Sequence, residues 1–273
     1  MKFLITGGAG SLGKVLIEHL LPHGEVVVYD YNENEVAWIN RFGPQKAKLT
    51  LVLGDVNDSQ KLDYAMEGVD VVIHCAYAKH VDFCETDPLF GLKTNIDGTM
   101  SAVTSALRSN VGKFVFVSSD KAVHPVSIYG KCKSLCESLV LRSSHYRNGK
   151  RTLFAVVRPP NYAGSECSVL RIWQEQKRRC EPLTVTDLNM ERYFMSFPDM
   201  AQFIYQCILD MEGGEIYVPT HTQKHSIIEL ARGISDNIQV TGVREGERLS
   251  AELMTAEEKE KAERKRLYWV IKQ

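Results

Sequence analysis

Five side chains in this sequence have the types and spacing for acid–base work. Ser119, Asp120 and Lys121 are consecutive, and Tyr129 and Lys133 follow soon after. Tyr129 and Lys133 are four apart, so on a helix they share one face. A free tyrosine titrates at about 10 and is no base near neutrality. An adjacent ammonium, joined by the positive charge of an oxidised nicotinamide, stabilises the phenolate and pulls that value down. Tyr129 could then take a proton from a hydroxyl while hydride leaves the same carbon.

A site for such a nicotinamide is written at the start of the chain. Thr6-Gly7-Gly8-Ala9-Gly10-Ser11-Leu12-Gly13 follows an apolar run and opens a helical pattern. Gly7, Gly10 and Gly13 permit a tight turn and a close backbone approach. The N–H groups of the helix start, at Ser11 and Leu12, then face a pyrophosphate. Asp30 ends the second apolar run, where an acid accepts from ribose hydroxyls and repels a 2′-phosphate. NAD is therefore expected over NADP. At the Gly54-Asp55-Val56 corner the acid either bonds the adenine amino group or caps the next helix. At Ala76 a small residue either admits the cofactor or packs in the core.

These residues need an alternating scaffold, and the sequence supplies one. Candidate strands are Lys2–Thr6, Glu25–Asp30, Leu49–Gly54, Val69–Ala76, Lys113–Ser119 and Thr152–Arg158. Helical patterns separate them: Leu12–Leu21, with Val15, Leu16, His19 and Leu20 on one face, a stretch from beyond Glu85 to Arg108, and Tyr129–Tyr146. Runs such as VVIHCA and FVFVSS suit strands covered on both faces. Repeated β-α-β implies an α/β fold, a doubly wound parallel sheet of Rossmann type. Pro159-Pro160 ends that rhythm, and shorter, more polar strands follow at Leu183–Thr186, Arg192–Phe197 and Glu215–Val218. The expected division is a dinucleotide domain over 1–158 and a smaller C-terminal substrate lobe over 159–273, with some elements returning to the main sheet.

Composition excludes several classes. The 273 residues are 44% hydrophobic, which rules out a disordered or fibrous chain. Thirty-three basic and 34 acidic residues give a net charge of −1, with no excess for nucleic acid or an anionic membrane. No apolar run reaches the ~20 residues of a membrane span, and the apolar start is too short for a signal peptide. Seven scattered cysteines without a CxxC pair suit reduced thiols in the cytoplasm. Cys132 and Cys136 share a helix face and read as buried packing. His221 and His225 form HxxxH without a nearby third ligand, so no metal is expected. Glu252–Arg266 reads as a solvated helix face.

The glycine loop and the Tyr-x-x-x-Lys pair resemble the extended short-chain dehydrogenase/reductase superfamily. A narrower likeness is to the inverting UDP-N-acetylglucosamine 4,6-dehydratases of polysaccharide and flagellin-sugar biosynthesis. It is carried by TGGAGSLG at 6–13, AYAKHVDFCETDP at 76–88, KTNIDGT at 93–99 and VSSDKAVHPVSIYGKCK at 117–133. It continues through PLTVTDLNMERYFMS at 182–196, GGEIYVP at 213–219, GVREGERLSAEL at 242–253 and the terminal YWVIK.

The resemblance implies oxidation at C4 of a UDP-sugar, which makes the C5 proton acidic. It implies Lys121 as the C5 base, Asp120 as the acid assisting water loss from C6, and Ser119 as a hydrogen-bond partner of the C4 oxygen. Hydride then returns to C6. It matches Lys79, Asn161, Arg192, Arg244 and Glu247 to positions that contact the substrate. It also implies a homodimer or larger oligomer. Read without the family, Asp120 and Lys121 fit a loop salt bridge or helix cap, Ser119 a strand-end hydroxyl on backbone, and the five substrate positions ordinary surface charge. Where the family has Arg-Tyr-Gly-Asn and Arg-Pro-Gly-Glu, this chain has Arg158-Pro159-Pro160-Asn161 and Arg244-Glu245-Gly246-Glu247, and Asp30-Tyr31 replaces its Ser-Arg. A UDP-hexosamine 4-epimerase or 5,6-dehydratase is the alternative activity. A non-catalytic NAD-binding regulator is a third, disfavoured by the presence of both Tyr129 and Lys133.

Overall fold

The computed structural model describes residues 1–44, 46–146, 149, 151–162 and 169–272. Cys167, one of the expected reduced thiols, lies outside the described residues. The chain opens with β1 (Lys2–Thr6), α1 (Ser11–Leu20), β2 (Glu25–Asp30), α2 (Glu33–Phe42), β3 (Leu49–Leu53), α3 (Ser59–Ala65) and β4 (Val71–His74). Then come α4 (Val81–Thr86), α5 (Pro88–Leu92), a π-helical turn at Lys93–Asp97 and α6 (Gly98–Arg108). A single helix was expected to follow Glu85 and run to Arg108. Asp87 breaks it, because its side chain caps α5 by accepting from Phe90 N at 3.1 Å. Pro88, at the first helical position, has no N–H to continue the preceding helix.

β5 (Lys113–Val117), α7 (Ile128–Arg142) and β6 (Leu153–Val157) complete the alternation. The remaining elements are β7 (Asn161–Tyr162), α8 (Val169–Arg178), β8 (Leu183–Val185), β9 (Glu191–Met195), α9 (Phe197–Asp210) and β10 (Glu215–Pro219). After them lie β11 (Gln223–Ser226), α10 (Ile227–Arg232), β12 (Ile238–Val240), α11 (Ala256–Lys261), β13 (Glu263–Arg264) and β14 (Tyr268–Lys272).

Nine strands form the central sheet in the order β13-β14-β10-β6-β5-β4-β1-β2-β3. From β10 to β3 neighbours are parallel, and β14 and β13 close one edge antiparallel. Side chains alternate between two buried layers, as strand geometry requires. Phe3, Ile5, Val115 and Val117 face the layer of α1, α2 and α9, whereas Leu4, Phe114 and Phe116 face that of α3, α6 and α7. α1 buries Leu12, Leu16, Ile17 and Leu20; Val15 and His19 sit at the margin of that face. The strand order reverses at β1, so the C-terminal ends of β1 and β4 border the crevice where such sheets take ligands.

Beyond Pro159 the chain divides. β10 and β14 lie in the central sheet, and α9 packs against it in the same layer as α1. β7, β9 and β11 form a three-stranded sheet and β8 and β12 a pair. These enclose a third cluster of Trp173, Leu183, Val185, Met190, Ile227 and Ala231. Among the described residues no helix is long and apolar enough to cross a membrane.

Candidate active site

The turn after β1 is held by backbone. Gly7 has φ +66°, and a Cβ there would stand 2.7 Å from Ala76 N. A Cβ on Gly13 would stand 2.3 Å from Gly8 O, so α1 can approach the turn only without one. Gly10 caps α1 with no side-chain hydrogen bond, which leaves the first-turn N–H groups at Ser11 and Leu12 without a side-chain cap. Asp30, 8% exposed, braces the same turn: Oδ2 accepts from Ala9 N at 3.0 Å and Oδ1 from Asn32 N at 2.9 Å. Uncapped helix donors beside a buried carboxylate have the chemistry that a pyrophosphate and a ribose diol require.

Asp55 does not cap the following helix. Its Oδ1 accepts from Asn57 N at 2.8 Å and Asn57 Nδ2 at 2.9 Å, while Asp58 caps α3 by accepting from Lys61 N at 3.0 Å. Val56 is buried and packs against Gly98, where an added Cβ would lie 2.5 Å from its Cγ1. Ala76 sets its backbone against Gly7 and its side chain half-buried against the second layer.

Past the end of β5, Ser119 caps a 3₁₀ turn over Asp120–Ala122, accepting from Lys121 N at 3.3 Å and donating to Asp120 Oδ1 at 2.7 Å. Lys121 Nζ donates to Asp120 Oδ1 at 3.1 Å and to Asn161 Oδ1 at 3.2 Å. Asn161 Nδ2, brought by β7, donates to Asp120 Oδ2 at 3.4 Å and to Tyr193 O at 3.2 Å. The salt bridge read for Asp120 and Lys121 is therefore present within one polar triangle, whereas the cap is Ser119, whose hydroxyl also meets backbone as read. Burial pushes the Asp120 carboxyl up, but the Lys121 ammonium, hydrogen bonds from Ser119 and Lys121, and the Arg192 charge outweigh it. The result lies below the ordinary carboxylate range. Asp120 is thus held as a carboxylate, with Lys121 as its ion-pair partner at 3.1 Å.

Tyr129 and Lys133 sit on α7, whose first turn is fixed twice. Ser127 accepts from Gly130 N at 3.0 Å, and Glu85 Oε1 accepts from Ile128 N at 2.6 Å. The Tyr129 ring meets Tyr77 edge-on at 5.3 Å. Lys133, 4% exposed, donates to Val117 O at 2.7 Å and lies 3.5 Å from the centre of the Tyr77 ring. Its ammonium faces that carbonyl and that ring. Burial pushes Tyr129 above the usual tyrosine range, the Asp120 charge adds to this, and a hydrogen bond with Ser119 opposes it. Burial also lowers Lys133 itself, to about 8.

A cavity of about 320 Å³ is lined by Ser119, Lys121 and Tyr129 together with Lys79, Asn161, Arg192, Arg244 and Glu247. Five segments far apart in the chain thus converge on it. Asp120, Lys133, the glycine turn, Asp30, Asp55, Val56 and Ala76 lie outside its lining. A wider depression of about 550 Å³ between α2 and β3 carries none of these residues.

Arg192 lines the cavity, while its donors are largely committed to backbone. Nη1 donates to Glu191 O and Leu249 O at 2.9 Å each and Nη2 to Arg248 O at 2.5 Å, with Glu247 Oε1 at 3.7 Å. Sequence reasoning also passed over several residues. Ser118, 4% exposed, lines the cavity, and its Oγ has no hydrogen-bond partner among the described residues. Arg158 is 3% exposed and bonds Glu137 through Nε at 3.0 Å and Nη2 at 2.7 Å. It also bonds Glu258 through Nη1 at 2.8 Å and Nη2 at 2.9 Å, tying α11 to α7. So the charge-rich Glu252–Arg266 stretch is helical only at Ala256–Lys261, and one of its acids is an internal ion-pair partner. Thr184, Thr186 and Phe194, within the 182–196 segment but not singled out there, also line the cavity.

A Rossmann sheet with a glycine turn at its switch point, and a Tyr-x-x-x-Lys helix beside a polar cavity, defines an extended short-chain dehydrogenase/reductase. The chain matches the polysaccharide biosynthesis protein family over residues 3–273 and belongs to it. It is similar to the inverting UDP-N-acetylglucosamine 4,6-dehydratase of Campylobacter jejuni subsp. jejuni, 32% identical over 265 residues, covering 94% of this chain and 78% of that one. It is also similar to UDP-glucose 4-epimerase of Rickettsia rickettsii, 30% identical over 280 residues, covering 98% and 82%. The X-ray structure of Pen from Bacillus thuringiensis shares the fold with a TM-score of 0.94 at 29% identity, over 99% of this chain and 87% of that one. The protein is thus an enzyme of the nucleotide-sugar dehydratase and epimerase group.

Proposed function

We propose that this enzyme is a 4,6-dehydratase of UDP-N-acetylglucosamine or a close UDP-hexosamine, using NAD in preference to NADP. The observation that carries the proposal is the Lys121–Asp120–Asn161 triangle beside Tyr129 at one cavity. Epimerisation at C4 needs one acid–base group and a hydride carrier. Removing a C5 proton and then water needs a further base and a further acid, and this triangle holds both.

Bound NAD supplies a hydride acceptor at C4 and a hydride donor at C6. The N–H groups at Ser11 and Leu12 would hold its pyrophosphate in the turn formed by Gly7, Gly10 and Gly13, Asp30 would bond the ribose and repel a 2′-phosphate, and Asp55, Val56 and Ala76 would flank the rest. Tyr129 takes the C4 hydroxyl proton, and Ser119 orients that oxygen. Lys121, as the neutral amine, takes the C5 proton made acidic by the new C4 ketone. The Lys121–Asp120 ion pair at 3.1 Å is one proton transfer from a neutral amine and a neutral acid. That transfer prepares base and acid together. Asp120 then protonates the departing C6 hydroxyl, hydride returns to C6, and a proton drawn from solvent reaches C5 on the opposite face and inverts it.

Lys79 and Arg244 supply cationic donors for the diphosphate, Arg192 a buried positive charge, Asn161 a hydrogen-bond partner for the sugar, and Glu247 one for the ribose of uridine. Cytoplasmic work as a homo-oligomer belongs to the same reading. The apolar side chains of Leu89, Phe90 and Leu135 exposed on α5 and α7 support the oligomer. A C4 epimerase at this site is the second reading, favoured by the likeness to the Rickettsia enzyme.

The test is incubation with UDP-N-acetylglucosamine and NAD in D₂O, followed by mass spectrometry and NMR. Loss of one water with deuterium at C5 is the expected product. A C4 epimer without water loss, a 5,6-alkene, or unchanged sugar would overturn the proposal.

A further inference from the structure

Residues 242–248 link the cavity to the turn that carries Asp120 and Lys121. On one side, Arg244 and Glu247 line the cavity. On the other, the Arg248 guanidinium donates to three carbonyls of the turn and its exit. Nη2 reaches Asp120 O at 3.1 Å, and Nη1 reaches Val123 O at 2.5 Å and His124 O at 3.2 Å. His124 has φ +45°, a left-handed conformation that costs a non-glycine residue energy and persists where surrounding bonds enforce it. Lysine, a single point of charge, could not span three carbonyls as the planar fork does.

The same segment also touches the start of α7. A Cβ on Gly246 would stand 2.9 Å from Ser127 Cβ and 3.2 Å from Glu85 Oε1, the two residues that fix the turn bearing Tyr129. Arg192 anchors the segment from inside the cavity wall, through the carbonyls of Arg248 and Leu249. Residues 241–245 are otherwise exposed, and Gly242 (φ +88°) and Gly246 (φ +74°) give the segment left-handed joints. A ligand that engages Arg244 and Glu247 therefore acts on a strap whose next residue holds the catalytic turn by its carbonyls.

We propose that Arg248 is a positioning residue: through the carbonyls of Asp120, Val123 and His124 it sets the Asp120–Lys121 pair in working geometry when residues 242–248 close on a nucleotide sugar. The inference deepens the dehydratase reading and rests on it. Arg248 touches no reacting atom. It acts on C5 deprotonation and water loss, and leaves C4 oxidation by Tyr129 to α7.

Wild type, Arg248→Ala and Arg248→Lys are compared with NAD and UDP-N-acetylglucosamine. For Arg248→Ala the expected result is a fall of about a hundredfold in kcat for water loss, with KM within about threefold of wild type. Reduced nicotinamide builds up, because C4 oxidation continues while C5 deprotonation stalls, and deuterium uptake at C5 is lost. Added guanidinium ion restores part of the turnover, whereas Arg248→Lys remains impaired. A plain structural staple would lower the thermal midpoint and slow C4 oxidation and water loss together, and that result overturns the proposal. An unchanged kcat, or a rise in KM alone, overturns it as well.

Hydrogen exchange supplies a readout independent of turnover. The amides of Ala122 and Val123, which bond Ser119 O and Asp120 O, exchange faster in Arg248→Ala while those of β1 do not change. Equal exchange in both proteins overturns the proposal. If wild type removes no water from any UDP-hexosamine yet the variant shows faster exchange, the dehydratase reading fails and the coupling of Arg248 to the turn stands.

Discussion

The glycine turn after β1 and the acid–base turn after β5 occupy equivalent strand ends of one sheet, yet different forces hold them. Backbone holds the first: Gly7 N donates to Tyr29 O at 2.8 Å and Gly10 N to Gly7 O at 3.1 Å, in a space that excludes Cβ atoms. Side chains from remote segments hold the second, with Asn161 on Lys121, Arg192 on the 248–249 carbonyls and Arg248 on the turn itself. A turn fixed by backbone shape fails structurally when an atom is added. A turn fixed by remote side chains can lose its chemistry while the fold persists.

That contrast is tested most severely at Lys121, whose side chain is 33% exposed. Lys121→Met is expected to lower turnover by about 10³-fold, the usual scale for a lost acid–base group, with little change in thermal midpoint. Steady-state kinetics and a melting curve check it. A variant that fails to fold would show that the second turn is as structural as the first. Gly13→Ala should behave in the opposite way. Its Cβ meets rigid backbone at 2.3 Å, so urea unfolding should show a loss of about 1–3 kcal/mol, with weaker NAD binding. Unchanged stability would mean that α1 can shift without cost.

Asp30 lies between the two regimes, a side chain that braces backbone. Asp30→Ala removes the acceptor for Ala9 N and Asn32 N and the charge facing a 2′-phosphate. The ratio of NADP to NAD affinity should rise by about tenfold, on the order of 1.4 kcal/mol. Equilibrium binding of both dinucleotides measures it, and an unmoved ratio would remove Asp30 from cofactor choice.

What the sequence disclosed follows the same divide. The sheet, the glycine turn and the Tyr-x-x-x-Lys helix depend on local pattern, because strands alternate and glycines mark positions without room. The break at Asp87–Pro88 was equally local, but apolar periodicity running through it hid the cap. The substrate cavity was readable as a set of residues only through family likeness. Its mechanics depend on contacts such as Arg248 to Asp120, 128 residues apart, which no spacing rule announces. Lys133 shows the limit within a single helix. Four-residue spacing placed it on the face of Tyr129, but not the direction of its ammonium, which Val117 O and the Tyr77 ring decide.

The gentlest probe of the contrast is the titration of Lys133, a charge buried at the meeting of both regions. Burial lowers it from 10.5 to about 8, and nearby thiols and Glu137 resist that shift. Below pH 8 the folded and unfolded chains both carry this proton, so the full cost of burying the ammonium is borne. Between about 8 and 10.5 the folded chain has released the proton while the unfolded chain retains it. The unfolded state then binds more protons, and this contribution to stability must rise with pH. Cys132 and Cys136 pull the other way, because burial raises both thiols and leaves the folded chain holding their protons longer. Comparison with Lys133→Met, which keeps those cysteines, separates the two. Urea midpoints taken across this range should show wild type gaining on Lys133→Met above pH 8, with a flat difference below it. A difference that falls with pH would mean that the Val117 carbonyl and the Tyr77 face hold the ammonium more strongly than burial expels it, and that this lysine is anchored charged.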